Sequence, residues 1–320
     1  MITVEALRDN YIPVTERKFS HKLPPGTKVQ LADLHTHPHV DSRVGVIPFL
    51  TNAHIKGVDW LAMTDHDEGG DEETTNAIRR IRDLLGFEIN IISASEATAL
   101  PIADPYNRKG KHVIILNQKK LLQPFMSWKD LRQKANEEEM LLFPAHLELG
   151  RGKGNISYTG EEVKRMVDAG LAPDGLEVHN GSGVLFDRYA WAIDPIHNSL
   201  LVPQAFKDFI PPTGSNAAAL TIYNEYSDEI PAASAGSDDH EGTRVAEAVV
   251  VIPEGADLFE AMRAGETEVH EQKKLARLQP ISMIDSVLLA QRHIKKPPIE
   301  ILSLGKIDKR TTIIDIFPGS

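Results

Sequence analysis

Three histidines and two aspartates fall within residues 31–43, in the segment LADLHTHPHVDSR. Residues two apart in a β-strand project to the same face, so His35 and His37 aim their imidazoles at one point. Imidazole and carboxylate groups are common ligands of divalent metals, and this spacing therefore indicates a metal site. Pro38 interrupts the strand, so the alternation does not extend to His39.

Similar groups recur where other short apolar runs end. GSDDH places Asp238 and His240 two residues apart, and LEVHN does the same with Glu177 and His179. The remaining runs contribute Asp65 and His66 in TDHD, Glu96 in SASEAT, His112 in GKHV and His146 in FPAH. A single histidine in such a place is usually hydrogen-bonded within the core. Because one predicted strand after another ends with such a group, we predict one metal site whose ligands come from several strands.

The elements that must position these residues alternate along the chain. The apolar runs of strand length are VQLADLH, DWLAMTDH, EINIISASE, KHVIILN, MLLFPAH, GLEVHN and AASAGSDDH. Between them, helices are predicted over residues 45–57, 71–86, 127–139, 159–169, 183–192, 215–226 and 255–265. Near-continuous apolar strands that alternate with helices are typical of a parallel α/β fold. Seven strands predict a closed or nearly closed barrel, with the active face at the carboxyl ends of its strands.

Domain organisation follows from the same pattern. We predict an N-terminal extension over residues 1–28, a barrel domain over 29–270, and a C-terminal extension over 271–320 that packs on the barrel. A chain of 320 residues can hold such a barrel as one unit. The segment KKPPIE near residue 296 has the composition of a linker.

Composition excludes several classes of protein. The chain has no cysteine, so disulfides, thiolate zinc sites and cysteine nucleophiles are excluded. The N-terminal sequence lacks the apolar centre of a secretory signal, and no apolar run reaches about 20 residues, which predicts a cytoplasmic protein with no membrane partner. The net charge of −11, without a basic stripe interleaved with aromatics, predicts no extended nucleic-acid partner. The sequence does not predict the oligomeric state.

The order of these motifs resembles that of the PHP (polymerase and histidinol phosphatase) superfamily. The motifs read DLHTH, TDHD, SASEAT, GKHV, PAHLE and GSDDH, between about residues 30 and 270. The resemblance implies a distorted (β/α)7 TIM-like barrel that binds two or three divalent ions of zinc, manganese or iron and usually hydrolyses phosphoesters. The stretch ASEAT to FPAHLE also resembles the CehA/McbA-type branch, which includes hydrolases of non-phosphate substrates.

The resemblance also implies roles for individual residues. His35, His37, Glu96 and Asp238 would hold one metal, with Glu96 bridging to its neighbour. His66 and His240 would join the second metal, and His112 and His146 would build the third. Asp41 lies at about the family's usual distance for a further ligand, so we expect Asp41 to bind and His39 to line the pocket. Asp33 would hold an imidazole, and Asp65 would orient His66 or the attacking water.

Other residues are candidates for contact with the substrate. Loop cations could bind phosphate oxygens, and the candidates are Arg43, Arg108 with Lys109, Arg151 with Lys153, and Arg244. Glu177 is a candidate for positioning a ligand or contacting substrate. His179 or Asp239 is a candidate for protonating the leaving group.

The favoured function is a metal-dependent phosphoesterase that acts on a small phosphorylated metabolite or nucleotide through a metal-bridging hydroxide. One alternative is hydrolysis of a non-phosphate ester, amide or carbamate by the same centre. A second alternative, of another class, is a metal-binding module without catalytic activity.

Overall fold

The description of the fold rests on a computed structural model. It describes residues 1–16, 18–38, 45–67, 70–102, 110–149, 156–188, 190, 194 and 213–273. The chain divides into two compact units, Met1–Ala276 and Arg277–Ser320. The second unit lies outside the described residues, as does the predicted C-terminal extension from residue 274 onward. The three domain boundaries therefore stay a prediction.

Helices form at the seven places where the sequence predicts them, and one more lies near the N-terminus. Their bounds are α1 Val4–Asn10, α2 Val46–Ile55, α3 Glu72–Leu84, α4 Trp128–Glu138, α5 Gly160–Asp168, α6 Gly181–Arg188, α7 Ser215–Glu225 and α8 Leu258–Arg263. Local capping explains several of these starts. The Asp71 side chain accepts a hydrogen bond from Thr74 N, and α5 begins with a capping box between Thr159 and Glu162.

Twelve strands are found among the described residues. Their bounds are β1 Ile2–Thr3, β2 Tyr11–Pro13, β3 Lys28–Thr36, β4 Trp60–Met63, β5 Asn90–Leu100, β6 Lys111–Leu116, β7 Met126–Ser127, β8 Leu141–Pro144, β9 Gly175–Asn180, β10 Ala232–Gly236, β11 Ala248–Pro253 and β12 Glu268–Gln272. The main sheet has the order β2-β12-β11-β3-β4-β5-β6-β8, with β1 on β3 and β7 on β5. Strands β9 and β10 form a separate parallel pair.

The main sheet curls, because the separate pair contacts both β8 and β3. At one side, Asp174 N, just before β9, donates to Leu142 O on β8 over 3.1 Å. At the other, Asp238 N donates to His35 O over 2.7 Å, and His37 N donates to Asp239 O over 2.9 Å. The fold is therefore a mixed α/β fold with a curled sheet. Its core includes the fully buried side chains of Trp128, Tyr158 and Phe143.

Strand β6 runs against the direction that a parallel barrel predicts. It pairs antiparallel with β5, with His112 opposite Thr98, and antiparallel with β8, with Val113 opposite Pro144. A parallel neighbour would need a crossover of a dozen or more residues, and only residues 101–110 separate β5 from β6. The expectation of a uniformly parallel sheet is wrong at this strand.

The N-terminal residues pair with the sheet at two places. Ile2 lies opposite Val29 in the pairing of β1 with β3, and Ile12 lies opposite Glu271 in the pairing of β2 with β12. No described helix is long and apolar enough to cross a membrane.

Candidate metal centre

Four buried side chains converge on one point at the end of β3. The distance between His35 Nε2 and His37 Nε2 is 3.0 Å, and each lies 3.4 Å from Glu96 Oε2. Asp238 Oδ1 lies 3.7 Å from His35 Nε2 and 3.4 Å from His37 Nε2. Ligands held about 2.0–2.2 Å from a tetrahedral metal ion are about 3.3–3.6 Å apart. The spacing of these four groups therefore fits a divalent ion between them.

Glu96 stands at the centre of a larger set of histidines. Its Oε2 is 3.0 Å from His66 Nε2, in addition to the two contacts on β3. Its Oε1 is 2.7 Å from His112 Nδ1 and 2.6 Å from His146 Nε2. The two oxygens of this carboxylate thus face two different groups of imidazoles. A carboxylate in such a position can bridge two adjacent ions.

His240 lies beside His37 and His66 in the cluster. Its ring stacks on that of His37, with centroids 4.2 Å apart, and the ring of His66 stacks on His37 from 4.6 Å. One potential ligand atom from each of these three residues lies within 4.8 Å of the others. His39 and Asp41, the two candidates for a further ligand, lie outside the described residues.

The antiparallel direction of β6 explains how His112 reaches this edge. Parallel strands bring their carboxyl ends to one edge of a sheet, but His112 is the second residue of its strand. Because β6 is reversed, its beginning lies beside the carboxyl-terminal half of β5, where Glu96 is. His112 therefore joins the cluster from the start of a strand.

A glycine allows β10 to approach β3 closely. A Cβ atom on Gly236 would overlap with the Cβ and backbone of His35. The same stretch continues into Asp238, whose φ of 49° is in the left-handed region. His146 has a φ of 51°, also in that region. Such conformations are uncommon for residues other than glycine, although Asp and His adopt them more readily than most, and they are often found at functional sites.

Glu177 positions His35 rather than contacting the centre of the cluster. Its Oε1 accepts a hydrogen bond from His35 Nδ1 over 2.7 Å, so a neutral His35 ring would direct the lone pair of Nε2 toward Glu96 and Asp238. Its Oε2 accepts from His146 N over 2.7 Å. The carboxylate therefore joins two residues of the cluster, in a role that the sequence left open.

Asn180 contributes to the site, and the sequence analysis missed it. Its Oδ1 accepts from Ser182 N over 2.8 Å at the start of α6, so its Nδ2 is turned toward the cluster. Nδ2 lies 3.1 Å from His146 Nδ1 and 3.2 Å from both oxygens of Glu177. If Asn180 Nδ2 donates to Nδ1, a neutral His146 ring carries its hydrogen on Nε2, which lies 2.6 Å from Glu96 Oε1. Strand alternation gave no signal for Asn180.

His179 does not join the cluster. The register between β9 and β10 shifts between Ser234 and Ala235, so His179 does not share the face of Glu177 as a regular strand would require. Its Nε2 lies 3.2 Å from Glu271 Oε2 on β12. The expectation that His179 protonates a leaving group is therefore not supported by its position.

Asp33 and Asp239 organise the loop that follows β10. Asp33 accepts hydrogen bonds from Ser237 N, over 2.9 Å, and Ala246 N, over 2.8 Å, and within the described residues no imidazole donates to it, although one was expected. Asp239 accepts from Arg244 N over 2.8 Å and Val245 N over 3.0 Å. Both carboxylates are fully buried, and Asp239 is committed to backbone amides instead of facing a leaving group.

Burial and hydrogen bonding oppose each other at Asp33. Loss of hydration raises its pKa, the amides of Ala246 and Ser237 lower it, and the balance is a pKa of about 6. The carboxylate therefore remains largely ionised at pH 7, where it holds the loop that carries Asp238.

The charges of the cluster stabilise one another. Burial alone would raise the pKa of Glu96, but His112, His66, His146 and His35 hold this pKa well below its usual range. Burial alone would lower the pKa of His35, but Glu177, Glu96 and Asp238 raise this pKa well above its usual value. Without metal, these raised and lowered pKa values favour a protonated His35 ring beside ionised Glu96 and Asp238.

Of the side chains proposed to bind phosphate, the structure describes only Arg244. Arg43, Arg108, Lys109, Arg151 and Lys153 lie outside the described residues. Arg244 is buried, and its Nη2 donates to Asp238 O over 2.9 Å, while Nη1 donates to Gly181 O over 3.4 Å. Its guanidinium therefore supports the backbone beside the metal ligands rather than facing a substrate.

The TDHD segment is attached to β5 beside Glu96. Asp65 is buried, and its carbonyl accepts from Glu96 N over 3.3 Å. Asp67 Oδ1 accepts from Thr98 N over 2.7 Å, and Asp67 Oδ2 accepts from Thr98 Oγ1 over 2.6 Å. Asp67, which the sequence analysis did not single out, thus fixes the segment that carries His66 against the strand that carries Glu96.

Comparison with known proteins gives structural likenesses only. No protein-family model matches the chain, and neither does any curated protein. A two-domain protein from Bacteroides vulgatus, described as containing a predicted PHP-like metal-dependent phosphoesterase, is 16% identical, with 82% of this chain and 70% of that one covered and a TM-score of 0.48. The chain itself has buried groups of His, Glu and Asp side chains that could hold metal ions. The CehA/McbA-type branch stays a prediction.

Two further likenesses concern a nuclease. The lesion-specific endonuclease Q of Pyrococcus furiosus is 16% identical, with 79% of this chain and 60% of that one covered and a TM-score of 0.42. Endonuclease Q in complex with a 27-mer duplex that has an abasic lesion is 16% identical, with 75% and 57% covered and a TM-score of 0.41. This chain thus spans less than two thirds of those enzymes. With a duplex-bound structure among the likenesses, the expectation of no extended nucleic-acid partner is wrong.

Proposed function

We propose that this chain is a metal-dependent hydrolase of the PHP type that cleaves phosphoesters. The observation that carries the proposal is the position of Glu96, whose two carboxylate oxygens contact five histidines at distances of 2.6–3.4 Å. A buried carboxylate among imidazoles from several strands is costly unless it is paired, and divalent ions would provide that pairing.

The donors support two or three ions. His35, His37, Glu96 and Asp238 would hold one ion, and His112 and His146 would hold a second with Glu96. His66 and His240 would hold a third, together with Asp41 if that residue reaches them. Ligation by nitrogen and oxygen with several imidazoles favours zinc, manganese or iron over calcium or magnesium.

Bound ions would lower the pKa of a water molecule and neutralise charge that develops on the ester oxygens. The chain's own residues fix the geometry. Glu177 orients His35, Asn180 contacts both Glu177 and His146, and Arg244 holds the backbone carbonyl of Asp238. Such supporting contacts hold ligands in the orientation that catalysis requires.

Phosphate recognition would depend on loop cations. We propose Arg43, Arg151 and Lys153 for this role, because in the sequence they come soon after His37 and His146. A small phosphorylated metabolite or a nucleotide is the favoured substrate. A non-phosphate ester, amide or carbamate is the alternative, and the commitment of Arg244 to backbone carbonyls is the observation that favours it.

The finer features of the fold belong to the same proposal. Taking β3, β4, β5, β6, β8, β9 and β10 in spatial order gives seven strands, which supports a distorted (β/α)7 barrel with β6 reversed. A cytoplasmic location stays a prediction.

The proposal is tested by comparing the protein with a Glu96→Gln variant. The protein would be purified without chelator, its metal content measured, and hydrolysis assayed on an aryl phosphate, a phosphodiester and a carboxylic ester with manganese or zinc. We expect metal in the unaltered protein, phosphoester hydrolysis, and loss of at least one ion with about a hundredfold fall in rate in the variant.

Glu266→Gln, a change at an exposed carboxylate, is the matched control and should leave metal content and rate unchanged. Hydrolysis of the carboxylic ester alone would favour the alternative substrate. Full metal content without hydrolysis of any ester would favour a metal-binding module without catalytic activity.

A further inference from the structure

Phe125 combines three features that are unusual together. Its side chain is 45% exposed, its φ is 63°, and it lies immediately before β7. The left-handed region is unfavourable for a bulky residue, and an exposed phenyl ring buries little surface that would offset the cost. Strain that the core does not explain points to a functional constraint.

The backbone around Phe125 fixes the side of β5 from which the residue comes. At Ala99, β5 has Lys111 of β6 on one edge and Met126 of β7 on the other. Phe125 N donates to Thr98 O over 2.6 Å, so its backbone lies on the β7 edge.

The ring crosses β5 to the other edge, on the face that carries the metal ligands. A Cβ atom on Gly110, which precedes β6, would lie 3.3 Å from Phe125 Cε1 and would overlap with Thr98 Cγ2. The ring therefore lies on the same side as the Thr98 side chain. Thr98 is two residues beyond Glu96 in the same strand, so the two side chains share a face. Thr98 also lies opposite His112.

A second exposed apolar residue flanks His112 on its other side. Ile156 O accepts a hydrogen bond from His112 N over 2.8 Å, and the Ile156 side chain is 39% exposed. We call Phe125 and Ile156 the apolar rim. Gly110 is two residues from His112, about 6–7 Å along the strand, so the rim is within reach of a group attached to a substrate at the centre.

We infer that Phe125 is a specificity-determining residue, which stacks on an aromatic group of the substrate next to His112. This inference rests on the proposed function, because the centre would hold the ester group while the ring holds what is attached to it. The substrate class is then an aryl ester or a nucleobase-bearing phosphoester. An exposed aromatic side chain can stack on any aromatic group. This stacking is strong enough to make the protein bind such a group more tightly than an alkyl chain.

The test measures binding instead of turnover. Dissociation constants of phenylphosphonate and propylphosphonate would be determined by calorimetry with the manganese-loaded protein. The same measurements would be made on Phe125→Ala, on Phe125→Leu, which retains an apolar side chain, and on Leu84→Ala. Leu84 is exposed at the end of α3 and serves as the matched control. Melting temperatures would establish that each variant is folded.

We expect the unaltered protein and Leu84→Ala to bind the phenyl compound about tenfold more tightly than the propyl compound. Both Phe125 variants should lose this preference while binding of propylphosphonate is unchanged. Equal binding of the two phosphonates by the unaltered protein, or a preference that survives in both Phe125 variants, would overturn the inference. Equal weakening of both ligands would also overturn it, because that result indicates a structural role.

A parallel pair, phenylacetate and butyrate, separates this inference from the proposed function. An aromatic preference that depends on Phe125 with the carboxylates, when neither phosphonate binds, would support the rim and contradict phosphoester chemistry. Failure of all four compounds to bind at millimolar concentration would overturn the inference.

Discussion

Asp67 and Thr98 form a pair of side chains that joins the segment carrying His66 to the strand carrying Glu96. Asp67 N donates to Glu96 O over 3.0 Å, while both oxygens of its carboxylate accept from Thr98. Asp67 has a φ of 47°, which aspartate tolerates better than most residues. The pair therefore sets the distance between His66 and the shared carboxylate of Glu96.

We predict that Asp67→Ala lowers the apparent metal affinity by about ten- to a hundredfold, because partners of metal ligands have effects of this size. Metal per chain would be measured after dialysis against buffered zinc. Adding Thr98→Val to Asp67→Ala should cause little further loss, since one interaction is removed by either change.

Asp257→Ala is the matched control for this pair. Asp257 also accepts a backbone hydrogen bond, from Glu260 N over 3.0 Å, but it caps α8. Its loss should reduce stability by about 1 kcal/mol and leave metal affinity unchanged. An Asp67→Ala variant that binds metal like the unaltered protein would contradict the positioning role.

At the scale of elements, the N-terminal segment is held to β12 by one buried carboxylate. Glu268 Oε1 accepts from Phe19 N over 2.6 Å and from Ser20 N over 2.9 Å, and its Oε2 lies 3.1 Å from His270 Nε2. Burial alone would raise the pKa of Glu268, but the hydrogen bonds from His270, Ser20 and Phe19 lower it to about 2.

A lowered carboxyl pKa stabilises the fold above the pKa of the unfolded chain, about 4.3, and this contribution is lost as pH falls from about 4.3 toward 2. We predict that Glu268→Gln reduces the free energy of unfolding by about 2–3 kcal/mol at pH 7, and by about half as much near pH 3. Urea unfolding of the metal-free protein at several pH values would measure both quantities. Glu266→Gln should change neither, and an equal loss at both pH values would contradict the linkage.

The sequence patterns predicted the positions of the helices and strands better than they predicted the directions of the strands. Helix caps and apolar periodicity are local, so the predicted helices agree with the observed ones within a few residues at most ends. The ten residues before β6 determine whether it runs antiparallel or parallel to β5. The apolar residues of β6 itself carry no information about its direction. The shift in β9 is likewise a property of its pairing with β10, and for this reason His179 was placed on the wrong face.

The residue types at the centre were predictable for a physical reason. A candidate metal ligand must be one of a few side-chain types, so the imidazoles and carboxylates near strand ends can be located in the sequence. The supporting contacts cannot, because many residues can donate or accept a hydrogen bond. Asn180 and Asp67 therefore escaped notice, and Asp33 proved to bind backbone amides where an imidazole had been expected.

For the molecule as a whole, the centre couples folding, metal binding and proton release. The curled sheet brings together β3, β5, β6, β8 and β10 only when it is folded, so a metal bound there stabilises the folded state. At a free metal concentration of 100 times the dissociation constant, this stabilisation is about 2.7 kcal/mol. The protons bound to the metal-free cluster oppose this stabilisation, because metal binding must displace them.

The sign of the pH dependence follows from His35. Its pKa is raised well above the usual value in the metal-free fold, so its contribution to stability is complete below about pH 6.5 and is lost as pH rises through the raised pKa. Metal binding must displace this proton, so metal affinity increases over the same range. We therefore predict that the difference in melting temperature between metal-loaded and chelated protein widens from pH 6 to pH 9.

Calorimetry in buffers of different ionisation enthalpy should detect release of about one proton or more per chain on metal binding at pH 7. Glu177→Gln removes the carboxylate that raises the pKa of His35 most, so this variant should release fewer protons at pH 7. Glu266→Gln should match the unaltered protein. Proton release that is equal in all three proteins, or a melting-temperature difference that narrows with rising pH, would contradict the role assigned to the pair of His35 and Glu177.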